Sequence, residues 1–164
     1  MDATSRAATI RQLKQFLDEP HAIHPPELAL VGSCSRSPAY DHRFSNQRTV
    51  GPFASLAEFH DFLVAPVLKC PRPDVVERFR PPHPDHHEIV FCHADFWWGN
   101  ILVEPSNGTV TGILHWEMAG FWPAWWEYRK AVRRRHERWW EDIVRSIMAE
   151  YRIEAWVNGD LERF

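Results

Sequence analysis

Ile10, Leu13, Phe16 and Leu17 recur at three- and four-residue intervals within residues 4–18. One face of that stretch is therefore apolar, and the spacing predicts an amphipathic helix. The pattern then dissolves. Residues 19–52 are rich in Pro, Gly and Ser, and EPHAIHPPELALVGSCSRSPAYDHRF reads as a long irregular excursion. A loop of that length inside a compact domain is functional or wraps the surface. Periodicity returns in SLAEFHDFLVAPV, where Ser55 opens a second helix and Glu58, three residues on, makes a capping box. Residues 69–87 are again Pro-rich.

The β content follows. EIVFC (88–92) and NILVE (100–104) read as short strands. PSNG (105–108) carries an Asn-Gly turn, and TVTGILH (109–115) is the returning strand. After AGFWP, residues 124–151 have helical spacing with a break near Trp139-Trp140. Helix, loop, helix, hairpin sheet and helix together predict an α+β, mainly α, single domain over residues 1–164, with 19–52 as a loop region within it.

Composition narrows the class. A chain of 164 residues, 45% hydrophobic and 25% charged, can bury its own core without staples, as an ordinary soluble globular protein does. Nine tryptophans exceed what such a core needs. Any single one is accounted for as core filling, but a cluster lines a pocket or covers a partner surface. The net charge is −3, and the one dense basic run, RKAVRRRHER, sits in a segment mixing both signs at helical spacing. That is a solvated helix face, which argues against a nucleic-acid partner. Cys34, Cys70 and Cys92 are too scattered for a disulfide framework or a zinc site and suit a reducing, cytoplasmic setting. The N-terminus lacks an apolar signal segment, and no stretch reaches membrane-spanning length, so no membrane partner is expected.

The candidate chemistry lies around the hairpin. His93, Asp95 and Asn100 form an H-x-D-x-x-x-x-N spacing directly after a predicted strand. In kinases the Asp of such a loop accepts the substrate hydroxyl's proton and the Asn reaches a metal ion. A second metal-binding Asp comes from the end of the following hairpin. Here that hairpin ends at His115.

The segment FCHADFWWGNILVEPSNGTVTGILHWEMAGFWPAWWEYRKA resembles the catalytic segment of the aminoglycoside phosphotransferase and choline kinase-like family, most of all its fungal branch. YDHR (40–43) and GPFASLAEFHDFL (51–63) resemble that branch's middle region, so the likeness spans roughly residues 8–155. It implies a protein-kinase-like C-terminal lobe with a small β-hairpin. Three departures stand out. His115 replaces the family's metal-binding Asp, and imidazole is a poor ligand for magnesium, which prefers hard oxygen donors. The N-terminal lobe is expected to be absent, because Lys14, Lys69 and Lys130 lie in no V-A-I-K-like strand and no Gly-rich phosphate loop occurs. Ala94 replaces the family's Gly, and Trp97-Trp98 fill the loop that would lie beside the transferred phosphate.

On this basis the expected catalytic residues are Asp95, His115 and His93, with no metal and no cofactor. Asp95 and His115 would share a pocket and work as an acid–base pair near neutrality. The resemblance also allows His93 to be a brace for the hairpin end and Asn100 a loop stabiliser. Trp97, Trp98, Asn100, Trp116, Glu117, Trp122, Trp125 and Trp126 are the expected substrate contacts, while His42 falls in the outer loop, away from the site. A Trp-lined cleft with one Asp and one or two His suits a small hydrophobic or cationic metabolite. The favoured function is nucleotide-independent cyclisation or isomerisation of such a metabolite. Two alternatives stay open: an ATP-dependent phosphotransferase completed by a partner N-terminal lobe, and a non-catalytic pseudokinase binding protein. An apolar face left by a missing lobe would favour a homodimer.

Overall fold

A computed structural model describes residues 1–26, 30–44, 49–68, 79, 85–133 and 137–161. The first helix, α1 (Ala3–His21), starts where Asp2 accepts the Ser5 N–H at 2.7 Å, a side-chain N-cap. It buries Leu13 and Leu17 but also Ser5 and Thr9, because its N-terminal half packs on a turn and not on the apolar core. Thr9 Oγ1 and Gln12 Nε2 donate to the Gly108 carbonyl at 2.8 and 3.1 Å, and Gln12 Oε1 accepts the Val110 N–H. Gly108 has φ +75°, and a Cβ there would sit 2.0 Å from the Ser5 carbonyl oxygen. The Asn-Gly turn thus meets both a local and a tertiary demand for glycine.

Helix α2 (Leu56–Leu68) begins as the capping box predicts. Ser55 Oγ accepts the Glu58 N–H at 3.1 Å, and the Glu58 carboxylate accepts the Ala54 N–H, one residue before the cap, at 2.8 Å. The expected hairpin is present as β5 (Ile101–Glu104) and β6 (Thr109–Ile113), with an irregularity between Leu102 and Val103. The excursion over 19–52 is less irregular than expected. Within its described part lie β1 (Gly32–Ser33), β2 (Ala39–Tyr40) and β3 (Thr49–Val50), with β2 and β3 paired antiparallel. Strand β4 (Ile89–Cys92) joins β1 through β7 (Gly120–Pro123) in an antiparallel sheet of order β1-β7-β4, Val90 opposite Trp122 and Cys92 opposite Gly120. Helices α3 (Ala124–Arg133), α4 (Arg138–Ile147) and α5 (Arg152–Leu161) complete the described elements.

The helical stretch 124–151 is not one helix broken at Trp139-Trp140. Helix α3 ends at Arg133, and Trp139 and Trp140 lie in the first turn of α4. Strand β7 was also unexpected. All four of its residues are buried, so AGFWP shows no alternation to betray it. Most of the Pro-rich stretch 69–87, with Lys69 and Cys70, lies outside the described residues.

The core explains where most of the tryptophan goes. Trp122, Trp125 and Trp126 are each 0% exposed and surround Phe59 of α2, with ring centroids 5.3 to 6.3 Å from it. Trp122 and Trp126 stack at 5.4 Å. These three expected cleft residues are therefore core. With no exposed surface, they have nothing to offer a ligand. A second cluster joins Leu13 and Leu17 of α1 to Phe96, Tyr128, Trp140 and Val144.

Candidate active site around Asp95

Strand β4 delivers the chain into a tight loop at His93 and Ala94. Ala94 has φ +61°, a left-handed conformation that costs a residue with a Cβ roughly 1–2 kcal/mol. A buried carboxylate offsets it. Glu127, in the first turn of α3, accepts the His93 N–H at 2.6 Å and the Ala94 N–H at 3.1 Å. Burial raises the pKa of Glu127 to about 7, although these N–H groups and the charge of Lys130 pull it down.

The rest of the loop is tied by side chains. The Asp95 N–H donates to His93 Nδ1 at 3.1 Å, and His93 Nε2 donates to the Leu114 carbonyl at 2.9 Å. With one ring nitrogen accepting and the other donating, His93 is a neutral imidazole of defined tautomer, and burial lowers its pKa in keeping with that. It braces the loop against the hairpin. Asn100, buried on a short 3-10 turn (Trp98–Asn100), donates through Nδ2 to the Asp95 carbonyl at 2.8 Å and to Asp95 Oδ2 at 2.9 Å. The Asn100 carbonyl accepts the Leu114 N–H at 2.8 Å. Asn100 thus positions Asp95. Asp95 Oδ1 takes no hydrogen bond among the described residues.

His115 stands at the hairpin's end with φ +66°. Its side chain is 58% exposed, and its nearest acidic partner is Glu117, with Nδ1 3.4 Å from Oε1. Asp95, His115 and Glu117 all act on the charge of His93, so the three surround one imidazole. Trp116 is exposed, donates Nε1 to the Ile113 carbonyl at 2.9 Å and packs its ring 4.7 Å from His93. Trp97 and Trp98 lie 5.0 Å apart, and Trp98 lies 5.9 Å from Trp139. Of the expected tryptophan wall, Trp98 and Trp116 remain exposed near the loop, while Trp97 is half-buried against the second cluster.

The sequence reading missed the wall contributed by residues 41–43. Asp41, fully buried, pairs with Lys130 Nζ at 2.8 Å and accepts Trp126 Nε1 at 3.1 Å and the Arg43 N–H at 2.9 Å. Arg43 lies over the Trp126 ring at 5.0 Å. His42 Nε2 accepts an Arg133 N–H at 2.9 Å. The charge of Asp95 is felt at both His42 and Lys130, so His42 belongs to the site's surroundings and not to a remote outer loop. The signal available in the sequence was the YDHR stretch itself, with Glu127 and Lys130 one helical turn apart.

The magnesium ion that the resemblance implies does not fit this donor set. The second metal position carries an imidazole, and one oxygen of Asp95 is engaged by Asn100. Among the described residues, no three His, Cys, Asp or Glu donors converge at Asp95. No helix among the described residues is long and apolar enough to cross a membrane. No curated protein matches the sequence. Residues 1–162, with the braced Asp95 loop among them, match the phosphotransferase enzyme family, and the chain belongs to that family.

Proposed function

We propose that this chain carries a proton-transfer site on a phosphotransferase scaffold and acts on a small hydrophobic or cationic metabolite without a nucleotide. The observation that carries the reading is the presentation of Asp95. Its loop is braced by His93, Asn100 and Glu127, its Oδ1 takes no hydrogen bond among the described residues, and both Asp95 and the exposed His115 act on the charge of His93. Asp95 removes a proton from a substrate C–H or O–H, and His115, with Glu117 behind it, returns a proton at another atom. The electron pair moves within the substrate, so isomerisation or cyclisation balances with no co-reactant. The substrate contacts are Trp97, Trp98 and Trp116, a smaller aromatic set than composition implied.

The test is solvent-deuterium incorporation. The protein is incubated in heavy water, with chelator, against a panel of small amines and carbonyl compounds, and incorporation is followed by mass spectrometry. Asp95→Asn and His115→Ala are each expected to lower the rate by about a hundredfold, the loss typical of a general acid or base. Incorporation that both variants retain in full overturns the reading. A second reading, the acceptor side of an ATP-dependent phosphotransferase, is favoured by the same Asp95–Asn100 loop and by family membership. Modification that requires magnesium and ATP would select it.

A further inference from the structure

Behind the Asp95 loop, three donors of different chemistry meet from three elements. His21 is the last residue of α1, Cys92 the last of β4, and Glu127 lies in the first turn of α3. One donor atom from each lies within 4.8 Å of the other two. The meeting is structural and not sequential. The Phe91 N–H donates to the Ile23 carbonyl at 3.2 Å, which draws the end of α1 onto β4, and Ala124 N–H to Glu88 O at 2.9 Å fixes the start of α3 beside the same strand.

We infer that His21, Cys92 and Glu127 form a binding site for a zinc-class divalent metal ion, with a fourth coordination position facing an adjoining cavity. Nitrogen, sulfur and carboxylate oxygen are a borderline-soft set that selects zinc over magnesium or calcium. A tetrahedral ion with these bond lengths holds its donors roughly 3.5 Å apart, so the present spread closes by about an ångström on binding.

Several independent features converge on this site. His21 Nε2 is buried and takes no hydrogen bond among the described residues, an orphan that a metal would satisfy. Burial lowers the pKa of His21, which leaves the imidazole neutral and able to ligate at neutrality. Cys92 is fully buried, and its sulfur has only long contacts to the Val90 and Trp122 carbonyls, at 3.7 and 4.0 Å. Burial and the neighbouring Glu127 push its thiol pKa well up, and Glu127 is itself pushed up by burial. A divalent cation relieves both, and the ion with one thiolate and one carboxylate is electrically neutral. Glu127 can bind it while still holding His93 and Ala94, because each carboxylate oxygen has two lone pairs. His21 and Glu127 also line a cavity of about 320 Å³, shared with Lys14, Asp18 and Tyr128, which offers an entry path and room for a water or small ligand. On binding, the Cys92 proton leaves to solvent and a sulfur–metal bond forms.

The probe is the metal alone. In a Cys34→Ser/Cys70→Ser background Cys92 is the sole cysteine, so the core need not be altered. Cobalt titration is expected to give one ion per chain with a thiolate-to-metal charge-transfer band, and zinc to displace it. His21→Gln, at the half-buried end of a helix, is expected to weaken cobalt and zinc at least tenfold without loss of helical circular dichroism. Absence of the charge-transfer band in that background, or unchanged affinity in His21→Gln, overturns the inference. Neither outcome bears on the proton-transfer reading, which is assayed with chelator present.

Discussion

Glu127→Gln tests how the Asp95 loop is held. The wild-type carboxylate is buried, accepts the His93 and Ala94 N–H groups and has its pKa raised from 4.5 to about 7. A carboxyl group with a raised pKa in the folded state binds its proton more tightly there than in the unfolded chain. Between about pH 4.5 and 7 the native protein therefore holds more protons, and stability falls as pH rises. At about 1.4 kcal/mol per pKa unit the contribution is about 3 kcal/mol, fully present below the unfolded pKa and lost as pH passes the folded one. Glutamine keeps an acceptor oxygen for the two N–H groups but cannot titrate. The assay is urea unfolding of both proteins from about pH 4 to 8, with chelator present, read as wild type minus variant. That difference is expected to move by about 3 kcal/mol in favour of the wild type at the acid end. His21, His42 and His93, all with pKa lowered largely by burial, pull the other way as pH falls below their ordinary range. Both proteins carry them, so they cancel. A difference that stays flat across the window would refute the buried, proton-holding role of Glu127.

Asp41→Ala strands the buried Lys130 ammonium and should cost about 3–5 kcal/mol in chemical denaturation, against near-zero for a surface pair such as Lys14–Asp18. Gly108→Ala must resolve a 2.0 Å approach to the Ser5 carbonyl oxygen, on top of a backbone penalty of roughly 1–2 kcal/mol, and should lower Tm sharply while Gly112→Ala, whose Cβ meets only Leu102 at 3.6 Å, does not. Calorimetric titration should give no micromolar magnesium-dependent affinity for ATP, because His115 and the engaged Asp95 oxygen leave a poor oxygen cage; micromolar affinity would overturn that reading of His115.

The features legible along the chain were those written in short-range chemistry. The Ser55–Glu58 cap, the Asn107-Gly108 turn and the spacing of Leu13 and Leu17 each depend on residues within one or two turns, and each appears where it was expected. The polar loop was legible for the same reason, since His93, Asp95 and Asn100 reach one another across a few residues. The rest depends on contacts between distant segments. Whether a tryptophan fills a core or faces a ligand depends on what covers it: Trp122, Trp125 and Trp126 are enclosed around Phe59, some sixty residues earlier, while Trp98 and Trp116 stay exposed. Strand β7 was hidden because burial on both faces removes the alternation that marks a strand. Glu127 carried no local signal of its role, because packing alone aims it at two backbone N–H groups 33 and 34 residues away. The meeting of His21, Cys92 and Glu127 is likewise a product of packing, since no local spacing brings a helix end, a strand end and a helix start to one point. Propensities and caps act along the chain; burial, field and convergence exist only once distant segments have closed upon each other.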